Sequence, residues 1–195
     1  MKVNKYRYNA SADDFQKIPG SPIAYWVSEQ IFNIFQYSLP LKTFSKGSTG
    51  LQTSNSDKFL RFWQEVDKSL IHTKWIPFAK GGGYRKWYGN VDHLVNWDNN
   101  GKDIKNYVVE KYPYLKGNYG LVVKNENTYF LKGILTSRVT TGKLGFRIKS
   151  SNEIYSDACT AIFPNDLAIF LSLLSSKLLR IIEKLNPTIN FQAGD

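Results

Sequence analysis

At 195 residues the chain is long enough for one large domain, or one domain with an appendage, and can bury roughly 70% of its unfolded surface without disulfide staples. A hydrophobic share of 42% with 22% charge excludes a disordered or collagen-like chain. The net charge of +10 is unevenly spread, because residues 101–150 set ten basic residues against only Asp103, Glu110 and Glu126 while residues 151–195 are slightly acidic, a contrast that points to a polyanion-binding face. The 12 Tyr, 12 Phe and 5 Trp are in several places interleaved with Lys and Arg, so nucleic acid is the first partner to consider. The longest apolar run, near Leu167 to Leu174, is too short to span a bilayer, so no membrane partner is expected. Met1-Lys2-Val3-Asn4-Lys5 carries charge without a following apolar stretch and is not a secretory signal. A lone Cys159 fits a reducing compartment, and the expected localisation is cytoplasmic.

Ser21-Pro22 reads as an N-cap with proline at the first helical position, and Ile23, Val27, Ile31, Ile34 and Phe35 recur at helical spacing, which predicts a helix over 22–37. Residues 38–54, with Pro40, Gly47 and Gly50, read as a loop. A second helix is predicted after Asn55 or Ser56, with Phe59, Phe62, Trp63 and Val66 on one face. From Lys74 to Phe163 the pattern changes to short β-prone runs at 75–78, 91–97, 119–123, 128–131, 134–140, 144–148 and 158–163, separated by turns, with one helix at 102–111. Pro164-Asn165-Asp166 opens the last element, a long helix over 165–185 whose apolar stripe lies on the sheet, and Asn186-Pro187 ends it. The expectation is an α+β fold: a mostly antiparallel β-sheet core, a long C-terminal helix packed on it and an N-terminal helical segment. It divides into a helical segment at 1–70 and an α+β domain at 71–195, together forming one compact unit.

The residues that carry chemistry are few. His72, His93 and Cys159 do not meet the spacing of a structural zinc site, and none is assigned a metal. Lys80-Gly81-Gly82-Gly83 lacks both the GxxxxGK[ST] and the GxGxxG spacing. Asp103-Ile104-Lys105 matches half of a metal-dependent nuclease site, with Asp92 or Asp98 as upstream carboxylates, but such tripeptides arise by chance and charges on a first helical turn explain them as well. The stretch from Lys80 to Asn90 is the most informative. Its glycines allow close backbone approach, Lys80, Arg85 and Lys86 can neutralise phosphates, and Arg85 or Asn90 can read base edges. Tyr84, Trp87 and Tyr88 can stack on bases or fill the core, and the residues alone leave both readings open. A second basic set, Arg138, Lys143, Arg147 and Lys149, lies on alternating strands with Ser137, Thr140 and Thr141, where the other reading is a solvated sheet face.

Four blocks, in order, carry a resemblance. They are Ile18-Pro19-Gly20-Ser21-Pro22-Ile23-Ala24-Tyr25-Trp26-Val27-Ser28; Gly50-Leu51-Gln52-Thr53 leading to Phe59-Leu60-Arg61-Phe62-Trp63; Arg85-Lys86-Trp87-Tyr88-Gly89-Asn90; and Asn186-Pro187-Thr188-Ile189-Asn190-Phe191-Gln192-Ala193-Gly194-Asp195. The chain resembles, over nearly its whole length, the downstream half of the large adenine-specific DNA methyltransferases of BREX phage-defence systems. Such enzymes bind S-adenosylmethionine through a glycine-rich loop and hold a flipped adenine against an Asn-Pro-Pro-aromatic tetrapeptide. Asn186-Pro187-Thr188-Ile189 has only the first two residues of that tetrapeptide.

The resemblance therefore implies a target-recognition region separated from its catalytic domain, itself no enzyme, with no cofactor of its own and S-adenosylmethionine expected in the parent. The implied partners are duplex DNA, the catalytic methyltransferase domain of the parent chain and other defence-system proteins. The DNA-facing residues are expected to be Lys80, Arg85, Lys86, Asn90, Arg138, Lys143 and Arg147, with Trp87 buried beside the sheet. The alternatives are a protein-interaction module using the aromatic patch, and a metal-dependent nuclease fragment using Asp98, Asp103 and Lys105.

Overall fold

The structure is a computed structural model and describes residues 8–140 and 142–185. Short helices come first. Helix α1, Ala12–Gln16, is closed by a reciprocal capping box in which the Ser11 hydroxyl and the Asp14 carboxylate each accept from the other residue's backbone N–H. Helix α2, Glu29–Tyr37, starts behind Ser28, seven residues later than the proline at 22 suggests. Gly20 and Ser21 both adopt positive φ, so the chain turns there, and Ile23, Tyr25, Trp26 and Val27 are poor helix formers. Strand β1, Ser45–Thr49, lies in what reads as loop, because Ser-Lys-Gly-Ser-Thr carries no strand signal of its own.

The predicted helix after Asn55 is a single turn, α3, Ser56–Phe59, capped by the Asn55 side chain accepting from Lys58 N–H. It gives way to strand β2, Leu60–Phe62, which pairs with β4, and the aromatic, β-prone residues follow that pairing rather than a helical face. Strands β3, Trp75–Ala79, and β4, His93–Asn96, form as expected. Helix α4, Asp98–Lys111, contains a left-handed stretch at Asn99, Asn100 and Gly101, so its regular part coincides with the predicted 102–111. The runs at 119–123 and 128–131 are not strands but 3-10 turns, since Asn118 caps Gly120 and Asn125 adopts a left-handed conformation; Val122, Val123 and Tyr129 still reach the core.

Strands β5, Gly133–Ser137, β6, Arg147–Lys149, β7, Ile154–Tyr155, and β8, Cys159–Pro164, complete two four-stranded sheets. One has the order β1-β8-β5-β6, antiparallel throughout; the other has the order β2-β4-β3-β7, with β3 and β7 parallel. Residues before position 70 thus supply a strand to each sheet. The long C-terminal helix is instead two short ones, α5, Leu167–Leu174, capped by the Asp166 carboxylate, and α6, Lys177–Glu183. Ser175 and Ser176 separate them, Ser176 being extended, and the break lets two faces reach two cores. Phe170, Leu171 and Leu174 pack with Ile134, Leu144 and Phe146, whereas Leu178 and Leu185 pack with Ile18, Ala24, Ile31 and Phe32. The main core, from Leu51 and Phe59 to Tyr155 and Ala161, is drawn from both sheets and α4. No helix among the described residues is long and apolar enough to cross a membrane.

Candidate nucleic-acid interface

The glycine-rich turn leaves β3 at Ala79 with positive φ at Gly81 and at Gly82, a path that a Cβ would strain. Two side chains hold it. Ser137 Oγ donates to the Gly82 carbonyl at 2.8 Å, and Asn90 Nδ2 donates to the Gly83 carbonyl at 3.0 Å. Downstream, Trp87 N–H donates to the Phe146 carbonyl at 2.9 Å and Ile148 N–H donates to the Trp87 carbonyl at 3.0 Å, so residue 87 is stitched to the edge of β6. Gly145 makes the contact possible, because a Cβ there would sit 2.4 Å from the Arg85 carbonyl oxygen. The turn and the β5–β6 hairpin, far apart in sequence, thereby share one recess of about 10 Å³, lined by Tyr84 and Arg85 from the turn and by Thr136, Lys143 and Arg147 from the hairpin.

The expected DNA-facing residues separate into three kinds. Lys80, Arg85, Lys86 and Lys143 are exposed, and Lys86 Nζ lies 4.6 Å from the centre of the Trp87 ring. Asn90 is half-buried and spends its amide N–H on closing the turn. Arg138, half-buried at the end of β5, draws the Asp157 carboxyl downward against a stronger upward push from burial. Arg147 corrects the sequence reading: at 1% exposed it offers no outer surface to a duplex, because β6 turns its side chain inward, where Nη2 lies 3.5 Å from Cys159 Sγ. Lys149, placed by sequence on the same solvated face, is 0% exposed. Its three ammonium N–H groups are shared among the carbonyls of Tyr129, Leu131, Ser150 and Glu153, whose oxygens lie 2.6 to 3.0 Å from Nζ. Burial pushes its pKa down to about 8 against the opposing pull of Glu153, so it stays mostly charged at neutral pH.

Trp87 is a second correction. It is 48% exposed rather than buried beside the sheet, and its φ of 76° lies in the left-handed region that a bulky residue rarely adopts. Its two backbone hydrogen bonds to the hairpin hold that conformation and leave the indole exposed, as Tyr84 and Tyr88 are. Thr141 and the block from Asn186 to Asp195 lie outside the described residues. Three residues of the recess were not singled out by sequence reasoning, Thr136, Leu144 and Gly145. Thr136 lies inside a run read only as β-prone, and nothing in the sequence marks Gly145 as the point where the turn touches the hairpin.

The nuclease constellation does not assemble. Asp103 and Lys105 sit two apart on α4 and so diverge, and Lys105 pairs with Glu126 at 2.5 Å. Among the described residues no group of three or more His, Cys, Asp or Glu is placed to hold a metal ion. Gly81, Gly82 and Gly83 lead into a turn rather than a helix N-terminus.

No protein-family model matches the chain. Two curated relatives do. The chain is 32% identical to the adenine-specific methyltransferase PglX of Lacticaseibacillus casei (strain Zhang) over 97% of its own length and 17% of that protein's. It is 33% identical to the adenine-specific methyltransferase BrxX of Escherichia coli O9:H4 (strain HS) over 96% of its own length and 15% of that protein's. The chain thus spans about one sixth of the length of the curated relatives it matches.

Proposed function

The chain is homologous to a segment of the BREX adenine-specific methyltransferases, and we propose that this segment is their DNA target-recognition region, placed C-terminal to a catalytic domain outside the chain. It binds duplex DNA and reads a short sequence, while the catalytic domain flips and methylates adenine. The observation that carries this reading is the convergence of exposed Arg85 and Lys143, from segments 58 positions apart, on the rim of one recess, with Lys80 and Lys86 on the same turn. Charge of one sign gathered by the fold from distant sequence favours a polyanion over scattered solubilising charge. The region itself neither methylates nor holds the cofactor, and S-adenosylmethionine belongs to the catalytic domain. Calorimetric titration of the chain with that cofactor is expected to show no saturable heat, and micromolar binding overturns this assignment.

Anisotropy titrations of a labelled duplex at several salt concentrations test the DNA reading. With four phosphates neutralised by Lys80, Arg85, Lys86 and Lys143, log affinity falls against log salt with a slope of about −4. Lys143→Ala lowers the slope by about one unit and weakens all sequences alike, whereas Arg85→Ala in the parent methyltransferase costs roughly 1 to 3 kcal/mol and relaxes one position of the target. A flat salt response overturns the reading. It would favour a second one, that the exposed apolar residues Ile23, Tyr25, Trp26, Tyr37 and Leu39 dock the region onto the rest of a longer chain or onto other defence proteins.

A further inference from the structure

The thirteen residues 80–92 join β3, which ends at Ala79, to β4, which starts at His93, although those strands pair as a hairpin with Phe78 opposite His93. A hairpin needs a loop of only about two to five residues, and much longer ones usually serve a function. Positions 82–88 of this loop are all exposed, and they hold three aromatic rings: Tyr84 at 46%, Trp87 at 48% and Tyr88 at 75% exposed. A slack loop could fold such rings onto the core, but this one is braced. The Ser137 and Asn90 side chains fix the carbonyls of Gly82 and Gly83, and the Phe146 carbonyl and Ile148 N–H fix Trp87 through its backbone alone. That bracing holds Trp87 at a φ of 76°, a costly conformation for a bulky residue and of the kind that gathers at functional sites. We propose that the loop is a stacking platform on which Trp87 receives an unpaired nucleobase.

The charge around the ring selects the partner. Lys80, Arg85 and Lys86 lie in this loop against the single acid Asp92. Lys86 Nζ stands 4.6 Å from the centre of the Trp87 ring, and among the described residues it pairs with no carboxylate. A nucleotide matches that arrangement in both its parts. Its base offers a flat face to the indole and its phosphate offers oxygens to the ammonium of the preceding residue, a pairing that binding sites for single-stranded nucleic acid share. An apolar protein surface would cover the rings and leave three cations without partners. The base has to be unpaired, because bases inside a duplex are already stacked on both faces and only one released from the helix has a face to give. Flipping of an adenine opens a base pair and supplies such a base, and to that extent the inference rests on the proposed function.

Anisotropy titrations of the full chain at one salt concentration compare two labelled duplexes of the same sequence, one fully paired and one carrying a single-nucleotide bulge. In a further copy of the bulged duplex the extra base is a fluorescent purine analogue whose emission is quenched on stacking. The bulged duplex is expected to bind at least about fivefold more tightly, the gain that one base–aromatic stack supplies, and the analogue to be quenched. Trp87→Ala should abolish both the preference and the quenching, whereas Trp87→Phe should keep most of both. Neither substitution should lower the melting temperature, because the indole is exposed and the bonds that brace residue 87 belong to its backbone. The platform is overturned if the two duplexes bind alike, if Trp87→Ala leaves the preference in place, or if that variant loses the preference only together with its melting temperature. Salt-dependent duplex binding with no preference for the bulge removes the platform and leaves the proposed function standing. A Trp87-dependent preference for the bulge with the fully paired duplex unbound does the reverse, and no binding to either overturns both.

Discussion

Lys149 and Lys143 stand six positions apart in the same basic hairpin and do opposite things. Lys143 is exposed, so Lys143→Ala should change stability by less than about 0.5 kcal/mol. Lys149 ties four carbonyls from two chain segments, 129–131 and 150–153, and Lys149→Met leaves them without that donor, for an expected loss of about 3 to 5 kcal/mol by chemical denaturation. Equal midpoints for the two variants would show that the carbonyl cage contributes nothing. His93 provides a second residue-scale test. Burial, and then the charge of Lys80, hold its pKa below the ordinary 6.5 against the pull of Asp92 and Glu65. The unfolded chain therefore takes up this proton first as pH falls, and the contribution of His93 to stability is lost from pH 6.5 down to its folded pKa. Lys80→Ala should move the His93 midpoint upward in an NMR titration, and a native midpoint at or above 6.5 contradicts the assignment.

At the scale of elements, the site depends on one contact between a turn and a hairpin. Gly145→Ala puts a methyl 2.4 Å from the Arg85 carbonyl, which is backbone and cannot swing aside. The expected cost is about 1 to 3 kcal/mol, together with weaker duplex binding than Arg85→Ala alone produces, because Trp87 and the rest of the turn shift with it. Unchanged stability and binding would mean that the turn and hairpin are not held as described. Which elements were legible in advance follows from where their determinants lie. Strands β3, β4, β5 and β8 and the regular part of α4 carry their own pattern. Strand β1 does not, since Ser45 to Thr49 is polar and small, and it is a strand because β8 offers an unpaired edge.

Across the whole molecule the two ends of the described chain share a core, with Ile31 and Phe32 of α2 packed against Leu178 and Leu185. Phe32→Ala should thus cost about 3 kcal/mol and speed hydrogen exchange in α6 as well as in α2. If exchange in α6 is unaffected, the two ends are not one cooperative unit. Nor does a division at residue 70 separate the two sheets: β1 and β2 each pair with strands drawn from beyond it.

The α+β class, strands β3, β4, β5 and β8, the helix at 102–111 and the uneven charge were determined by the sequence itself, because apolar periodicity, turn chemistry and composition are local properties. The kinship with adenine-specific methyltransferases was legible in the same way, through blocks of residues in order. Only the tertiary structure decided the rest. It broke the last helix into two pieces, of which α6 alone also reaches the core of α2, and it turned residues 60–62 into a strand by supplying a partner. It also sorted the basic hairpin into exposed Lys143, buried Arg147 and caged Lys149. A cation's sequence position says nothing of which sheet face covers it, and β-strand neighbours point to opposite sides, so burial depends on what packs against each face. Trp87 faces outward for the same reason: two backbone hydrogen bonds to a hairpin some sixty residues away outweigh the preference of an indole for the core.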